Sequence, residues 1–457
     1  MPSADRLAIV LAAGLGTRMK SAHPKVMHEV GNLSLVGHVL AAVKAAEIER
    51  IAVVVGPDMA DLEAEVARRA PQATCHEQTE RLGTAHAAMA AGPAYADAPR
   101  QVLVLFGDTP LITAETVARV SAGLETGADL VVLGFETDTP TGYGRLLTTN
   151  GSVTAIREEK DASPEERAVR LCNSGIMAFD GRIFADILSR IGTDNAQGEY
   201  YLTDAVEIAH ALGLTVVVET AEEDELQGIN TRAQLARVEA EFQTRARARA
   251  MAEGATLVAP ETVFFSHDTR IGRDVVIEPN VVFGPGVTIG DNVRVRAFSH
   301  LEAADVASQA TLGPYARLRP GARIGEGAHV GNFVEIKNAT VEAGAKVNHL
   351  TYIGDARIGA KANIGAGTIT CNYDGYLKHH TDIGAGAFVG SNSTLVAPLT
   401  IGDGAYLGAG GVVTEDVPAD ALALGRARQV IKDGMGASLR TRFAAAKAEK
   451  AKTGDGG

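Results

Sequence analysis

A glycine-rich turn with two nearby cations is the first group of residues in this chain that could do chemistry. The run Leu11-Ala-Ala-Gly14-Leu-Gly-Thr-Arg18 follows a short apolar stretch, and Lys25 follows soon after. Such a turn exposes backbone N–H groups and, where it opens a helix, a helix N-terminus to phosphates. It lacks the Gly-Lys-Ser/Thr of a Walker A loop and the full GxGxxG, so a simple tight turn is the alternative. With Arg18 and Lys25 beside it, the turn predicts a nucleoside triphosphate site.

A carboxylate at the end of an apolar run is the candidate metal ligand. Asp108 follows the run 102–106, and ligands of open α/β sheets bind at the carboxyl ends of the strands. Mg²⁺ takes few protein oxygens and keeps its other positions for water and phosphate, so Asp108 fits, with a helix N-cap as its alternative role. The amide of Gln78, just before Gly83 and Thr84, can donate to and accept from the O4/N3–H edge of uracil, although any exposed Gln has the same groups.

A histidine in the second half of the chain is the candidate base. His349 lies in Asn348-His349-Leu-Thr-Tyr352, where an otherwise regular repeat becomes irregular. An imidazole titrates near neutral pH and can take a proton from an attacking group, although a histidine on a turn can also be a solvated surface residue. Arg319 and Lys337 stand at an interval that suits neighbouring coils of the repeat.

That repeat has a period of six residues, which belongs to neither a helix nor an ordinary strand. Six is the spacing of hexapeptide repeats in a parallel β-helix, where each apolar residue points into the interior and stacked coils cover one another. A β-sandwich is the alternative. A loop at 371–382 interrupts the repeat, and such loops usually mark the binding face of a solenoid. The recurring apolar positions include Ile271, Ile277, Phe283, Ile289, Val295, Leu301, Leu312, Leu318, Ile324, Val330, Ile336, Ile383, Val389, Leu395, Ile401, Leu407 and Val413.

The first half of the chain alternates short apolar runs with helical patterns. This alternation predicts a doubly wound, mostly parallel α/β sheet. The expected strands are 7–11, 51–55, 102–106 and 130–133, and the expected helices are 35–47, 58–69, 84–91 and 114–126.

Three segments follow from these patterns. We expect a nucleotide-binding domain at 1–230, a linker helix at 231–253 and a β-helix domain at 254–457. The stretch after Gly434 is charged and glycine-rich, which predicts a short helix followed by a disordered, flexible tail.

Composition excludes several classes of protein. The 457 residues include 43 Lys and Arg against 56 Asp and Glu, a net charge of −13, which argues against a general binder of nucleic acid or anionic membranes. The chain has three widely spaced cysteines and no apolar run approaching the length of a membrane span or a secretory leader. We therefore expect a protein of a reduced, cytoplasmic compartment, without disulfides or a zinc site.

Several motifs, taken in order, resemble those of the sugar-nucleotide pyrophosphorylases. They are LAAGLGTRM, PKVMH, LGTAHA, FGDTPL, TGYGR, REEKD, CNSGI and QGIN. With the hexapeptide repeat and the runs LTYIGD and NIGAGTITCNYDG, the chain most resembles the bifunctional N-acetylglucosamine-1-phosphate uridylyltransferase / glucosamine-1-phosphate N-acetyltransferase family over about residues 5–432. The resemblance implies a Rossmann-like nucleotidyltransferase domain, a linker helix and a left-handed parallel β-helix.

The resemblance also assigns residues of the first domain to UTP and UDP-N-acetylglucosamine. Asp108 and Asn230 would ligate Mg²⁺, the cations would bind phosphates, and the sugar would lie on Gly144, Glu158 and Asn173. The full implied set is Leu11, Ala12, Ala13, Gly14, Arg18, Lys25, Gln78, Gly83, Thr84, Phe106, Gly107, Asp108, Gly144, Glu158, Asn173 and Asn230.

In the β-helix the resemblance makes His349 the general base that takes a proton from the amine of glucosamine 1-phosphate. Glu335 would orient His349, and the Ala366 N–H would stabilise the oxyanion formed from the acetyl-CoA thioester. The implied sugar-phosphate ligands are Arg319, Lys337, Tyr352 and Asn363. The implied acetyl-CoA ligands are Ala366, Asn372, Tyr373, Ser391, Ala409 and Arg426.

The resemblance further implies partners and a place in metabolism. UTP, N-acetylglucosamine 1-phosphate, glucosamine 1-phosphate and the co-substrate acetyl-CoA would be its small-molecule partners, with no nucleic acid or membrane, and the assembly would be a homotrimer. The product would feed peptidoglycan and lipid A synthesis in bacteria. Two alternatives remain at this point. One is a single-activity sugar-1-phosphate nucleotidyltransferase with a structural or regulatory β-helix, and the other is a non-enzymatic scaffold of similar architecture.

Overall fold

The computed structural model describes residues 5–149 and 152–452, which form two compact units. The first unit contains the residues up to Asp291 together with His300–Ala303, and the second contains Asn292–Ser299 and the residues from Ala304 onward. The segment limits expected from the sequence, 1–230, 231–253 and 254–457, stay predictions.

The first unit contains a mostly parallel sheet with the order β11-β7-β10-β6-β1-β4-β5. β10 runs antiparallel to both β6 and β7, and the β8–β9 hairpin pairs with β10. The remaining neighbours in this order are parallel, so the predicted doubly wound sheet is confirmed. The strands are β1 Arg6–Leu11, β2 Glu29–Val30, β3 Leu33–Ser34, β4 Arg50–Val55, β5 Thr74–Glu77, β6 Gln101–Phe106, β7 Leu130–Glu136, β8 Gly144–Thr149, β9 Ser152–Arg157, β10 Leu171–Asp180 and β11 Val216–Thr220.

Helices cover both faces of this sheet because the residues of its central strands are apolar on both sides. Ala8 and Val10 of β1 pack into a core with α1, α2 and α5, while Leu7 and Ile9 pack into a second core with α3, α7 and α8. The expected helices lie within one or two residues of those observed, including the linker helix. The helices are α1 Leu35–Ala45, α2 Ala60–Arg69, α3 Thr84–Ala90, α4 Gly92–Tyr95, α5 Ala114–Glu125, α6 Pro164–Arg167, α7 Gly181–Arg190, α8 Asp204–Ala211, α9 Arg232–Ala252 and α10 Met435–Lys452.

The hexapeptide region folds as a left-handed parallel β-helix of short strands. Strands β12–β16 and β18 belong to the first unit, and β17 and β19–β33 belong to the second. They are β12 Thr256–Leu257, β13 Arg270–Ile271, β14 Val276–Ile277, β15 Val282–Phe283, β16 Thr288–Ile289, β17 Arg294–Val295, β18 His300–Leu301, β19 Ala304–Val306, β20 Thr311–Leu312, β21 Arg317–Leu318, β22 Ala322–Ile324, β23 His329–Val341, β24 Lys346–Ile358, β25 Asn363–Ile364, β26 Ile369–Cys371, β27 Thr381–Ile383, β28 Phe388–Val389, β29 Thr394–Val396, β30 Leu399–Ile401, β31 Tyr406–Leu407, β32 Val412–Val413 and β33 Leu422–Ala423.

Stacked coils place equivalent apolar residues directly over one another. Ile336 pairs with Ile353 in the next coil, and Val389 pairs with Leu407 in the same way. Ile358 pairs with Ile383 across a longer interval of sequence, because the loop at 371–382 lies between them. Of the predicted interior positions, Ile271 alone is partly exposed among the described residues, and the others are buried, which confirms the six-residue interpretation.

The C-terminal segment differs from the expectation. The helix after Gly434 spans Met435–Lys452 and is therefore long rather than short, because it is rich in Ala, Lys and Arg, which favour helix. The expected disordered tail falls on 453–457, outside the described residues. Among the described helices, none is long and apolar enough to cross a bilayer.

Candidate active sites

A cavity of about 730 Å³ opens in the first unit where β1 and β6 end. This volume suits a small-molecule ligand. Twelve of the sixteen residues assigned to the nucleotide line it, so residues from five separate segments of the sequence converge on one cleft. They are Leu11, Ala12, Ala13, Gly14, Arg18, Lys25, Gln78, Gly83, Thr84, Phe106, Asp108 and Asn230.

The glycine-rich turn forms one wall of this cleft without starting a helix. Gly16 has a φ of 61°, and a β-carbon there would lie 2.5 Å from Cβ of Lys25, so glycine is needed for both conformation and close approach. A β-carbon on Gly14 would meet no atom within 4 Å, because Gly14 faces open space. The expected helix is wrong: only the 3-10 turn Thr17–Met19 follows. Positive charge at the turn therefore comes from backbone N–H groups, Arg18 and Lys25.

Lys25, Asp108 and Asn230 meet at one point in the cleft. The Lys25 ammonium forms an ion pair with the Asp108 carboxylate and donates to Asn230 Oδ1 at 3.0 Å, and both charged side chains are 13% exposed. A carboxylate and an amide oxygen thus converge on a cationic group. That donor set also fits Mg²⁺, which needs one or two carboxylates and takes its remaining ligands from water and phosphate. No cluster of three or more His, Cys, Asp or Glu ligands occurs among the described residues.

Gln78, Gly83 and Thr84 form the opposite side of the cleft. The buried Gln78 amide donates to the Gly83 carbonyl at 3.2 Å and contacts His86 Nδ1, also at 3.2 Å. Gly83 has a φ of 120° and packs against the Tyr200 backbone, where a β-carbon would overlap. These contacts hold the 78–84 segment in place, and they occupy part of the Gln78 amide that we expected to face uracil.

The three residues assigned to the sugar lie together but do not line the same cavity. Asn173 of β10 pairs with Gly144 of β8, and a β-carbon on Gly144 would lie 3.2 Å from Glu158 Oε1. Burial raises the pKa of Glu158, and the nearby carboxylates of Asp161 and Asp204 add to this effect. Gly107 also lies outside the cavity lining.

Sequence reasoning missed Arg81 at this site. Its Nε donates to the Ala13 carbonyl at 2.8 Å, which fixes the glycine-rich turn, and it lines the cleft with Tyr143, Glu199 and Gln234. Arg81 lies inside the Gln78–Thr84 stretch, so its position could have been noticed, but no residue pattern indicated a contact with a turn so much earlier in the chain.

In the second unit, His349 belongs to a row of residues at one corner of the β-helix. Its ring Nδ1 lies 2.7 Å from Asn332 Oδ1, the equivalent position one coil earlier. The row continues through backbone bonds from Gly367 to His349, Asn392 to Ala366, and Gly410 to Ser391. The Arg426 side chain also lies beside Gly410. The corner therefore aligns His349 with four of the six residues assigned to acetyl-CoA, namely Ala366, Ser391, Ala409 and Arg426.

The expectation that Glu335 orients His349 is wrong within this chain. Glu335 accepts from Arg319 at 2.8 Å and lies 4.0 Å from Arg317. It pairs in register with Tyr352, three residues beyond His349, and alternation along the strand places it in another row. Asn332, which sequence reasoning missed, takes the place next to the histidine. Its position one coil before His349 was the signal that could have identified it.

The cations assigned to the sugar phosphate lie on the face of the β-helix that follows this corner, at the edge away from His349. Lys337 lies in register with Gly354, one position from Asp355, whose carboxylate accepts from the amide of the buried Asn372. The Lys378 ammonium contacts Lys337 and lowers its pKa, with burial a smaller cause. Two ammonium groups in contact form a local concentration of positive charge.

The remaining residues assigned to the second site are dispersed. Tyr373 is exposed in the small turn of the 371–382 loop, where its hydroxyl donates to the Gly375 carbonyl at 2.5 Å. Asn363 pairs with Lys346 on the face before the corner. The structure of one chain thus does not bring Asn363, Asn372 or Tyr373 to the His349 row.

The cysteines take no part in either group. Burial raises the pKa of Cys75 and that of Cys172, which disfavours the reactive thiolate. All three cysteines are free.

Comparison with known proteins identifies both parts of the chain as transferases. Residues 8–169 match the family model of a MobA-like NTP transferase domain, and residues 268–303 match the bacterial transferase hexapeptide model of six repeats.

Curated relatives extend the similarity over nearly the whole chain. "Bifunctional protein GlmU" of Azorhizobium caulinodans is 59% identical over 440 residues, covering 96% of this chain and 98% of the relative. The proteins of the same name from Xanthobacter autotrophicus and Agrobacterium fabrum are 58% and 55% identical, with 96% and 98% of this chain covered. Similarity through both parts confirms the predicted bifunctional enzyme, a uridylyltransferase joined to an acetyltransferase, over the single-activity and scaffold alternatives. The chain therefore belongs to the family of bifunctional GlmU proteins.

Proposed function

We propose that this chain converts glucosamine 1-phosphate into UDP-N-acetylglucosamine in two steps, acetylation on the β-helix and uridylyl transfer in the cleft. The observation that carries the proposal is the presence of two separate constellations. One is a cleft in which Lys25, Asp108 and Asn230 meet, and the other is a corner row that contains His349.

For acetylation, His349 acts as the general base. Its Nε2 takes a proton from the substrate amine, and the amine nitrogen attacks the thioester carbonyl of acetyl-CoA. The tetrahedral oxyanion is stabilised by the backbone N–H of Ala366, one coil after His349. The carbon–sulfur bond then breaks, and the proton held by His349 passes to the sulfur of the leaving CoA. Arg319, Lys337 and Lys378 hold the sugar phosphate, because their three positive charges outnumber the nearby carboxylates of Glu335 and Asp355.

For uridylyl transfer, a phosphate oxygen of N-acetylglucosamine 1-phosphate attacks the α-phosphorus of UTP, and pyrophosphate leaves. The reaction needs alignment and charge neutralisation rather than a protein nucleophile. Arg18, Lys25 and the backbone of the glycine-rich turn bind the phosphates, and the Gln78–Thr84 side of the cleft binds uracil. Gly144, Glu158 and Asn173 form the sugar subsite beside the cavity.

Asp108 and Asn230 would hold Mg²⁺. When bound there, the ion supplies charge neutralisation for the triphosphate. Lys25 contacts both oxygens and therefore keeps them together. In the loaded site its ammonium binds phosphate.

We also propose that the active assembly is a homotrimer. His349 and Gly354, the register partner of Lys337, are separated by five residues, up to about 16 Å of extended chain. The base thus lies at one end of this segment and the phosphate-binding cations at the other, so one chain presents two separate parts of the site. Asn363 on the preceding face is further removed. A neighbouring copy that presents its own edge would complete the site, so light scattering should give three times the chain mass of 47.5 kDa.

The substrates place the enzyme in the cytoplasm, where UTP and acetyl-CoA are made and where three free cysteines stay reduced. Acetylation precedes uridylyl transfer. UDP-N-acetylglucosamine is then available to the peptidoglycan and lipid A routes.

Product analysis by mass spectrometry tests the proposal. Wild-type protein receives glucosamine 1-phosphate, acetyl-CoA, UTP and Mg²⁺, beside a His349→Ala sample. The expected wild-type product is UDP-N-acetylglucosamine, and His349→Ala should form it only from N-acetylglucosamine 1-phosphate. A wild-type protein that uses only the pre-acetylated sugar would leave the β-helix a structural or regulatory role. Turnover of neither substrate would contradict both proposed reactions.

A further inference from the structure

Asn332 and His349 form a side-chain pair in which only His349 has been given a role so far. They occupy equivalent positions in consecutive coils, and each precedes a corner residue with positive φ, Phe333 at 54° and Leu350 at 50°. The two side chains therefore leave the corner next to each other, and Asn332 Oδ1 lies 2.7 Å from His349 Nδ1.

The backbone of His349 is fixed independently of this contact. Its carbonyl accepts from the buried Thr351 hydroxyl at 2.7 Å and from the Gly367 N–H at 3.2 Å. With the backbone fixed, the side-chain torsion angles of His349 alone determine where its ring points. The hydrogen bond to Asn332 fixes these angles.

The chemistry of the pair decides which ring nitrogen is free. A carbonyl oxygen can only accept, so the tautomer that satisfies this contact has the proton on His349 Nδ1 and the lone pair on Nε2. Resting on the acetyltransferase role of His349, we propose that Asn332 is a positioning residue that fixes the base in the tautomer and orientation that let Nε2 accept the amine proton.

A neutral partner differs from the carboxylate that often pairs with a catalytic histidine. A carboxylate would stabilise the imidazolium and keep the ring protonated at a higher pH, whereas an amide orients the ring without adding charge. The Asn332 amide thus orients the His349 ring without placing a charge beside it.

The charged groups around the pair are directed elsewhere. On the same two coils, Lys346 precedes the corner, and Glu335, Lys337 and Tyr352 follow it. Glu335 is paired with Arg319 and Arg317. On the next coil the corner residues Ala366 and Gly367 carry no charge. In the described part of the chain, Asn332 is the hydrogen-bond partner of the His349 ring.

Two substitutions in the full-length protein test the role. Asn332→Ala should lower kcat for acetylation about tenfold or more, with KM nearly unchanged, because the base is no longer oriented. Asn332→Asp keeps an acceptor and should retain most of the activity. Its carboxylate should shift the acidic limb of the kcat/KM profile about one unit to higher pH.

The controls lie in the same molecule. Uridylyltransferase activity on N-acetylglucosamine 1-phosphate should stay at the wild-type level in both variants, which shows that the first unit is intact. Thermal unfolding at the wild-type temperature should show that the β-helix of both variants is folded as well. Asn292→Asp, the same change at an exposed corner two coils before that of Asn332, should leave the profile unshifted.

Each remaining outcome decides between the two proposals. If His349→Ala abolishes acetylation but Asn332→Ala matches wild type, the positioning role is wrong and the role of His349 stands. Loss of kcat in Asn332→Ala with an unshifted profile in Asn332→Asp would make Asn332 merely structural. If His349→Ala acetylates at the wild-type rate, both proposals fall.

Discussion

The cleft of the first unit and the corner of the β-helix both bring reactive groups together, but they position them in different ways. The cleft gathers its assigned residues from five separate segments of the sequence into one cavity, and its central ion pair is nearly buried. In the corner row His349 and Ser391 are exposed and Asn332 and Ala366 are only partly buried, and each member is positioned by one repeated step from the previous coil. The cleft therefore depends on loop packing at many points, whereas the corner depends on register.

This difference affects how an error spreads. A displaced loop in the cleft moves one wall while the others stay in place. A slipped register in a β-helix would move the base and every row stacked after it, because each coil serves as the template for the next. Corner residues with positive φ recur along the β-helix as part of that template.

Asp108→Asn should have the largest effect, and it should impair the reaction in the cleft without impairing the reaction at the corner. The change removes the negative charge that pairs with Lys25 and the expected magnesium ligand. Uridylyl transfer should fall about 10³-fold, as when one well-placed electrostatic group is lost. Pyrophosphate release measures this loss, and the acetyl transfer rate of the same sample serves as the control. Equal losses in both activities would show that the two sites are not independent.

Acid should weaken the first unit through His38. Burial lowers the pKa of His38 to about 4, and His267 and Arg69 act in the same direction, while the bond to the Val30 carbonyl opposes it. Because this pKa is lower in the folded chain, the stabilisation is complete above about pH 6.5 and is lost as the pH falls through about 4. The expected loss is about 3 kcal/mol at most.

Urea unfolding of wild type and His38→Gln at pH 7 and pH 4 isolates this contribution. The glutamine amide can still donate to the Val30 carbonyl but does not titrate, so the variant should lose less stability on acidification. The same pH dependence in both proteins would rule out His38 as the cause.

Lys378→Ala should weaken substrate binding on the β-helix face. The two ammonium groups of Lys337 and Lys378 repel each other unless an anion lies between them. Removal of one should raise KM for glucosamine 1-phosphate about tenfold, the loss of one charge-assisted hydrogen bond, with little change in kcat. Steady-state kinetics with Lys378→Arg as the charge-retaining control measures the effect. An unchanged KM in Lys378→Ala would place the phosphate elsewhere.

The smallest expected effects come from two glycines of the glycine-rich turn, whose alanine variants can be compared with each other. Gly16→Ala forces a β-carbon against Lys25 at a positive φ and should cost about 1–2 kcal/mol of unfolding free energy. Gly14→Ala meets open space and should change stability by less than about 0.5 kcal/mol. Since that space is where UTP would lie, Gly14→Ala should instead raise KM for UTP. Thermal unfolding and UTP kinetics on both variants distinguish stability from binding.

Much of the fold follows from two spacings in the sequence. The six-residue recurrence predicted the β-helix interior, and the alternation of apolar runs with helical patterns predicted the sheet. The helix after the glycine-rich turn was expected wrongly, because Gly16 and Lys20 both adopt positive φ and end the turn after three residues. Such local geometry is fixed by packing against Lys25 rather than by the turn residues alone.

The sites were predictable to different degrees. Motif resemblance supplied the residues of the cleft, and their convergence in one cavity agrees with it. Arg81 could not be expected, since its partner is a backbone carbonyl that becomes a neighbour only in the folded sheet. Asn332 is the opposite case. Asn332 could have been identified as the residue one coil before His349, because residues separated by one coil lie next to each other in a β-helix.

The most direct test of two independent sites joined by a diffusing intermediate is a mixing experiment. His349→Ala alone should make no UDP-N-acetylglucosamine from glucosamine 1-phosphate. Asp108→Asn alone should accumulate N-acetylglucosamine 1-phosphate. An equal mixture of the two purified variants, assayed by mass spectrometry, should restore formation of the nucleotide sugar. Failure of the mixture, or full product formation by either variant alone, would contradict the division of the two reactions between the cleft and the corner.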